Sequence, residues 1–107
     1  MVMARITVDF ERPITNAVGD VVGNETQGRV LALVLSEANV EAHIVKFWDW
    51  AKTLGKRLPL EIDNEDFENL KEWIRLSKQM PLMTKANLIG TMLEAKAAFE
   101  AAEKAKA

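Results

Sequence analysis

Cysteine is absent from this chain, histidine occurs once and serine twice, and each scarcity closes a class of chemistry. Without thiols there are no disulfides, thiolate zinc sites or cysteine nucleophiles, and a reducing, cytoplasmic setting is the simplest expectation. Ser36 and Ser77 stand outside any G-x-S-x-G elbow. Gly19 and Gly23 bracket GDVVG, but no GxGxxG or Walker pattern surrounds them, so no phosphate cradle is indicated. His43 has no cysteine partner and sits in no HExxH, so it reads as a partly buried side chain rather than a metal ligand or general base. Long apolar runs are missing too. The opening MVMARITVDF lacks the apolar core of a signal peptide, and no segment reaches the roughly eighteen apolar residues that span a bilayer. Basic charge is not in surplus: fourteen Lys and Arg against sixteen Asp and Glu give a net charge of −2, so nothing global attracts a polyanion. The expectation is a chain without enzymatic activity, cofactor, metal or membrane span.

What is present is an ordinary globular composition. With 49% hydrophobic and 28% charged residues among 107, the chain can bury one core and is expected to form a single domain over 1–107. The predicted class is α+β and mostly helical, an N-terminal β-hairpin (about 4–23) followed by four helices in a small bundle. In ARITVDF, Ile6, Val8 and Phe10 alternate with Arg5, Thr7 and Asp9, the period of a half-buried strand. Pro13 ends that pairing, and Asn16, Gly19 and Gly23 supply turns around a second strand at 20–22. A first helix is predicted over 27–38, apolar on every side from Val30 to Leu35 and therefore buried all round. A second covers 40–54 with Gly55 as its C-cap. The third, 64–79, starts at an Asp63 cap, with Asp66 near the positive helix end and Ile62 and Phe67 spaced as a hydrophobic staple. Pro81 separates it from a fourth helix, 84–105, capped by Thr84 and rich in Ala, Glu and Lys.

The stretch VKFWDWAK concentrates three aromatic residues in the second helix. At about 100° per residue, Val40, Ile44, Phe47, Trp48, Trp50 and Ala51 share an apolar arc roughly 160° wide. Trp48 marks one border and Trp50 the other, while Glu41, Lys46, Asp49 and Lys52 fill the remaining side. Phe47 and Trp48 read as core, and Trp50, farther toward the edge, as either core or a partner contact. In the third helix, Phe67, Leu70, Trp73 and Ile74 form a core face. The stripe Lys71, Arg75, Lys78 would suit phosphates, but Glu68 and Glu72 lie one turn before Lys71 and Arg75 and neutralise it. In the fourth, Leu88, Met92, Ala95, Phe99 and Ala102 form a narrow stripe suited to another helix, so Met92 and Phe99 join Trp50 as partner-binding candidates. Lys46, Lys52, Lys56 and Arg57 gather near the end of the second helix and are the anion-binding candidates of a second reading.

The acidic run EIDNEDFEN fails as a calcium loop. Counted from Asp63, Glu68 stands where glycine is required and Ile74 where the closing glutamate belongs. Glu61 and Asp63 have no nucleophile or concave scaffold beside them, so helix capping explains the carboxylates better than acid–base work.

The order ITVDFERPITNAVGDVV, then an apolar and an aromatic helix, then LEIDNEDFENLKEWI and PLMTKANLIGTMLEA, resembles a group of small phage- and prophage-encoded proteins. The likeness covers most of residues 4–95 and leaves out the Ala/Lys-rich tail. It implies a phage accessory or virion-associated protein, placed in the host cytoplasm or the virion. It carries no activity or site residues. The expected function is therefore protein–protein contact, with a homo-oligomer or another phage or host protein as partner. The alternative is a nucleotide- or nucleic-acid-binding phage protein that counters a host defence or regulatory system.

Overall fold

The computed structural model of the protein describes residues 5–37 and 44–106. It is a mostly helical α+β fold. In chain order come β1 (Ile6–Val8), β2 (Pro13–Thr15), β3 (Val21–Thr26), α1 (Gln27–Glu37), α2 (Ile44–Gly55), β4 (Leu60–Ile62), α3 (Asn64–Leu76) and α4 (Leu82–Lys106).

The alternation read at the N-terminus holds: Ile6, Val8 and Phe10 are buried while Thr7 and Asp9 are exposed. The partner of this strand differs from expectation. β1 pairs antiparallel with β4, Ile6 opposite Ile62 and Val8 opposite Leu60, so both strands turn their apolar residues to one side. The hairpin is instead β2–β3, with Pro13 opposite Thr26 and Thr15 opposite Val21. Pro13 begins a strand rather than ending one, a position where its missing N–H breaks no ladder. Asn16 shapes the turn: its side-chain oxygen accepts from the Val18 and Asp20 amides at 3.1 and 3.0 Å, and Gly19 takes φ +92°.

β3 runs directly into α1, where the Thr26 hydroxyl caps the helix by accepting from the Arg29 amide at 3.2 Å. The Gly28 amide donates to the Phe10 carbonyl at 2.9 Å, and a Cβ on Gly28 would lie 3.3 Å from that of Phe10. Only glycine allows so close a crossing without displacement. α1 is not buried all round. Leu31, Ala32 and Leu35 face inward, whereas Arg29, Leu33 and Ser36 are exposed. A helix packed from one side buries an i, i+3, i+4 stripe, and among the described residues no second element covers the rest of this one.

α2 ends without using Gly55 as the turning residue. The Arg57 amide donates to the Leu54 carbonyl and the Leu58 amide to that of Thr53, with Arg57 at φ +62°. These are the bonds of a Schellman termination, with arginine where glycine is usual. The start of α3 is as expected: the Asp63 carboxylate accepts from the Asp66 amide at 2.7 Å, and Ile62 and Phe67 are both buried. α4 begins two residues before the expected site. The Pro81 carbonyl accepts from the Lys85 amide, placing Thr84 inside the first turn, where it is buried.

One cluster of buried side chains joins all four helices to the β1–β4 pair, with Val8, Phe10, Leu31, Phe67, Leu70, Ile74, Leu88 and Met92 at its centre. Two polar ties hold the hairpin to this body. Gln27 donates to the Pro13 carbonyl and accepts from Thr91 at 2.5 Å, while Asn87 of α4 exchanges hydrogen bonds with the Thr15 backbone.

Candidate functional site

The wide apolar arc of α2 is divided by its neighbours. Phe47, Trp50, Ala51 and Leu54 are buried, at i, i+3, i+4, i+7 spacing. Phe47 stacks on Trp50 with ring centroids 5.4 Å apart and meets the edge of Trp73 at 5.3 Å. Among the described residues the other half is uncovered: Ile44 is 59% exposed and Trp48 54%, and Val45, beyond the Trp48 border, is 73% exposed. Trp50, expected as either core or partner contact, is core at 9% exposure, whereas Trp48, expected in the core, faces solvent. An arc of about 160° is wider than the contact available to a helix seated on one flank, so one border must be left out. Each border has a lysine about 40° beyond it, Lys52 past Trp48 and Lys46 past Trp50, so the charge pattern does not choose between them.

Beside Trp48 the outward side of α1 contributes Leu33, 51% exposed. Between them lies a hollow of about 200 Å³ lined by Ala32, Leu33, Ser36, Trp48, Ala51 and Lys52. Its floor is made of small side chains and its walls of large ones. The Ser36 hydroxyl is spent on the Leu33 carbonyl at 2.9 Å, so the polar group of the hollow is already satisfied. Leu33 and Trp48 meet across this hollow, and the exposed Ile44 and Val45 precede Trp48 on the same helix, an accumulation of apolar surface of the kind that marks contact surfaces.

The α4 candidates belong mostly to the chain's own core. Met92 is fully buried, and Phe99 is partly buried against the same cluster, while Ala102 is exposed. The fourth helix therefore uses its stripe to close the domain's interior rather than to present a free seam.

The four cationic candidates are dispersed into separate environments. Lys46 pairs with Asp66 at 2.8 Å, a hydrogen bond that raises its pKa. Lys52 lies 3.7 Å from Asp49 one turn earlier. Arg57 borders a small hollow with Glu11 and Glu25 on its rim, and Lys56 is exposed. On α3 the expected neutralisation is present: Lys71 pairs with Glu68 at 2.8 Å and Arg75 with Glu72. Lys96 of α4 also reaches Glu68, at 2.7 Å. Hydrogen bonds from Lys71 and Lys96 hold the Glu68 carboxyl below its ordinary range, and Arg75 does the same for Glu72.

Among the described residues no three His, Asp or Glu side chains gather as metal ligands. His43 lies outside the described residues. Asp63 is spent as a helix cap and Glu61 stands opposite Thr7 on the exposed side of the β1–β4 pair. A larger hollow, about 430 Å³, opens between the hairpin turn and the start of α4, lined by Asn16, Leu82, Met83 and Asn87 among others. Asn87 exchanges hydrogen bonds with Thr15 and donates to the Met83 carbonyl, and the Asn16 side-chain oxygen accepts from its own turn, so these groups serve the hairpin's attachment and its turn. None of the described helices is long and apolar enough to cross a membrane. No family model, curated protein or solved structure matches the chain.

Proposed function

We propose that this chain works without catalysis, by docking the α1–α2 outer face onto another polypeptide surface. The observation that supports this reading is the solvated indole of Trp48 beside Leu33, on the rim of a hollow floored by Ala32 and Ala51. Aromatic side chains next to small-residue hollows are the usual anchors of protein interfaces, because one rigid ring removes a large apolar area from water at little entropic cost. The biological setting is proposed on the sequence pattern alone: a phage or prophage accessory or virion-associated protein, acting in the host cytoplasm or in the virion.

The test is a Leu33→Glu/Trp48→Glu variant, checked by circular dichroism for an unchanged helix signal. The native chain should bind a hydrophobic reporter dye through this face and the variant should not. Equal dye binding by the two would remove the reading. The alternative, nucleotide or nucleic-acid binding, has less to support it, since Lys46 and Lys52 are already ion-paired. Titration with single-stranded oligonucleotides at low salt should show no saturable binding, and a salt-dependent isotherm weakened by Lys56→Gln/Arg57→Gln would reinstate it.

A further inference from the structure

Resting on the contact face just proposed, we infer that its occupant is a second copy of this chain, with the two α2 helices docked antiparallel about a two-fold axis passing near residues 49 and 50. In an isologous pair the same patch must supply both the projections and the holes. This one does. With that axis, Trp48 of one copy lies level with Ala51 of the other, and Ile44 level with Gly55, so these two large exposed side chains each meet a small residue. Gly55 fits this role and no local one. It is the last residue of α2 without a positive φ, and a Cβ there would meet nothing within 4 Å. Ala32 and Ser36 of α1 widen the hollow that receives the indole.

Charge agrees with the same alignment. On a two-fold antiparallel helix pair, each flank meets its own copy. Asp49 and Lys52 share one flank of α2, 3.7 Å apart. Pairing the flank with itself places the two aspartates centrally and a lysine outside each, so every Lys52 gains a second carboxylate. Reversing the helix direction would lose that quartet.

Area sets the strength. The exposed parts of Leu33, Ile44, Val45 and Trp48 amount to roughly 500 Å² per copy, on the scale of 150–250 Å² for a large aromatic. A standard stable interface takes about 800 Å² per partner. A patch below that size suits a reversible dimer that forms as concentration rises rather than an obligate assembly.

Sedimentation equilibrium of the full chain, from micromolar to millimolar, is the experiment. The expected result is a monomer–dimer equilibrium, with tryptophan emission shifting to the blue as Trp48 is covered. Leu33→Glu/Trp48→Glu should be monomeric throughout with an unchanged helix signal. Asp49→Lys should weaken the dimer by roughly tenfold or more through like-charge contact. Adding Lys52→Asp to it should restore most of the loss, which a merely structural effect of either change would not do. A native chain that stays monomeric overturns the proposal, as does a dimer unaffected by Trp48→Glu or unrescued by the charge reversal. A monomer whose Trp48-dependent dye binding persists overturns the second copy alone, whereas loss of that dye binding removes the contact face as well.

Discussion

Arg57 is held in the left-handed region at φ +62°, a conformation that glycine reaches freely and that costs an L-residue about 1–2 kcal/mol. Replacing it with glycine relieves the steric cost but enlarges the unfolded ensemble. The net gain for Arg57→Gly should be roughly 0.5–1 kcal/mol, read as a higher urea midpoint at unchanged slope. An unchanged or lower midpoint would show the turn to be held by the arginine side chain instead. Glu68 offers a second residue-scale test. Its folded-state pKa lies below the ordinary carboxylate value because Lys71 and Lys96 hydrogen-bond the ionised form. A depressed carboxylate adds stability above its unfolded pKa and loses it as pH falls through the folded value. The side chain is 41% exposed, so solvent screens much of this. Glu68→Gln should be less stable than the native chain at neutral pH by below about 1 kcal/mol, and the gap should close in acid. A gap that persists at low pH would assign the effect to packing on Phe67, which both lysines also cover.

Among the elements, the helices were legible in proportion to how local their signals are. α3 shows its cap, staple and acidic first turn within a few consecutive residues, and each one operates as read. α4 begins earlier than Thr84 predicts: its first turn closes through the Lys85 amide and the Pro81 carbonyl, a backbone bond that no capping side chain announces. β4 went unread because three residues, Leu60–Ile62, are too few for periodicity, and Ile62 was already explained as half of the staple. The hairpin was legible from its turn glycines, but the identity of its strands was not, since pairing partners are chosen by tertiary structure. The buried Gln27–Thr91 pair joins α1 to α4, and Gln27 also donates to Pro13 of the hairpin, ties that no periodicity announces. Thr91→Val deletes the donor to the Gln27 side-chain oxygen in a buried site and should cost about 1–3 kcal/mol. In Gln27→Leu/Thr91→Val the loss should fall short of the sum of the single losses. Simple additivity in urea titrations of the four chains would mean that the two groups do not act together.

At the scale of the whole molecule, the missed site and the missed strand pairing share a cause. Which border of the α2 arc meets the core, and which strand meets β1, depend on residues distant in sequence: Trp50 turns in because Trp73 and Phe47 gather there, and Ile6 finds Ile62. The sequence declares that α2 has an apolar arc. It does not declare how much of that arc the rest of the chain can cover, and the uncovered remainder is the candidate site. The same topology makes stability uneven. β1, β4, α3 and the first half of α4 close a continuous core around Val8, Phe67, Ile74 and Leu88. β3 is exposed along most of its length, and α4 beyond Phe99 is exposed through Ala105. Segments with few buried apolar groups open at low free energy, while amides in the core exchange only through global unfolding. Native-state hydrogen exchange should therefore rank the amides of Phe67–Ile74 and Leu88–Met92 slowest, with β1 and β4 among them despite their three-residue lengths. The hairpin turn around Gly19 and the last turns of α4 should exchange fastest. Slow exchange in β1 and β4 is the informative arm, because a lone two-stranded pair is marginal in water and only burial by all four helices can protect it. If those amides exchange as fast as the hairpin's, the β1–β4 pairing is peripheral to the core, and the placement of α2 against it must be reconsidered.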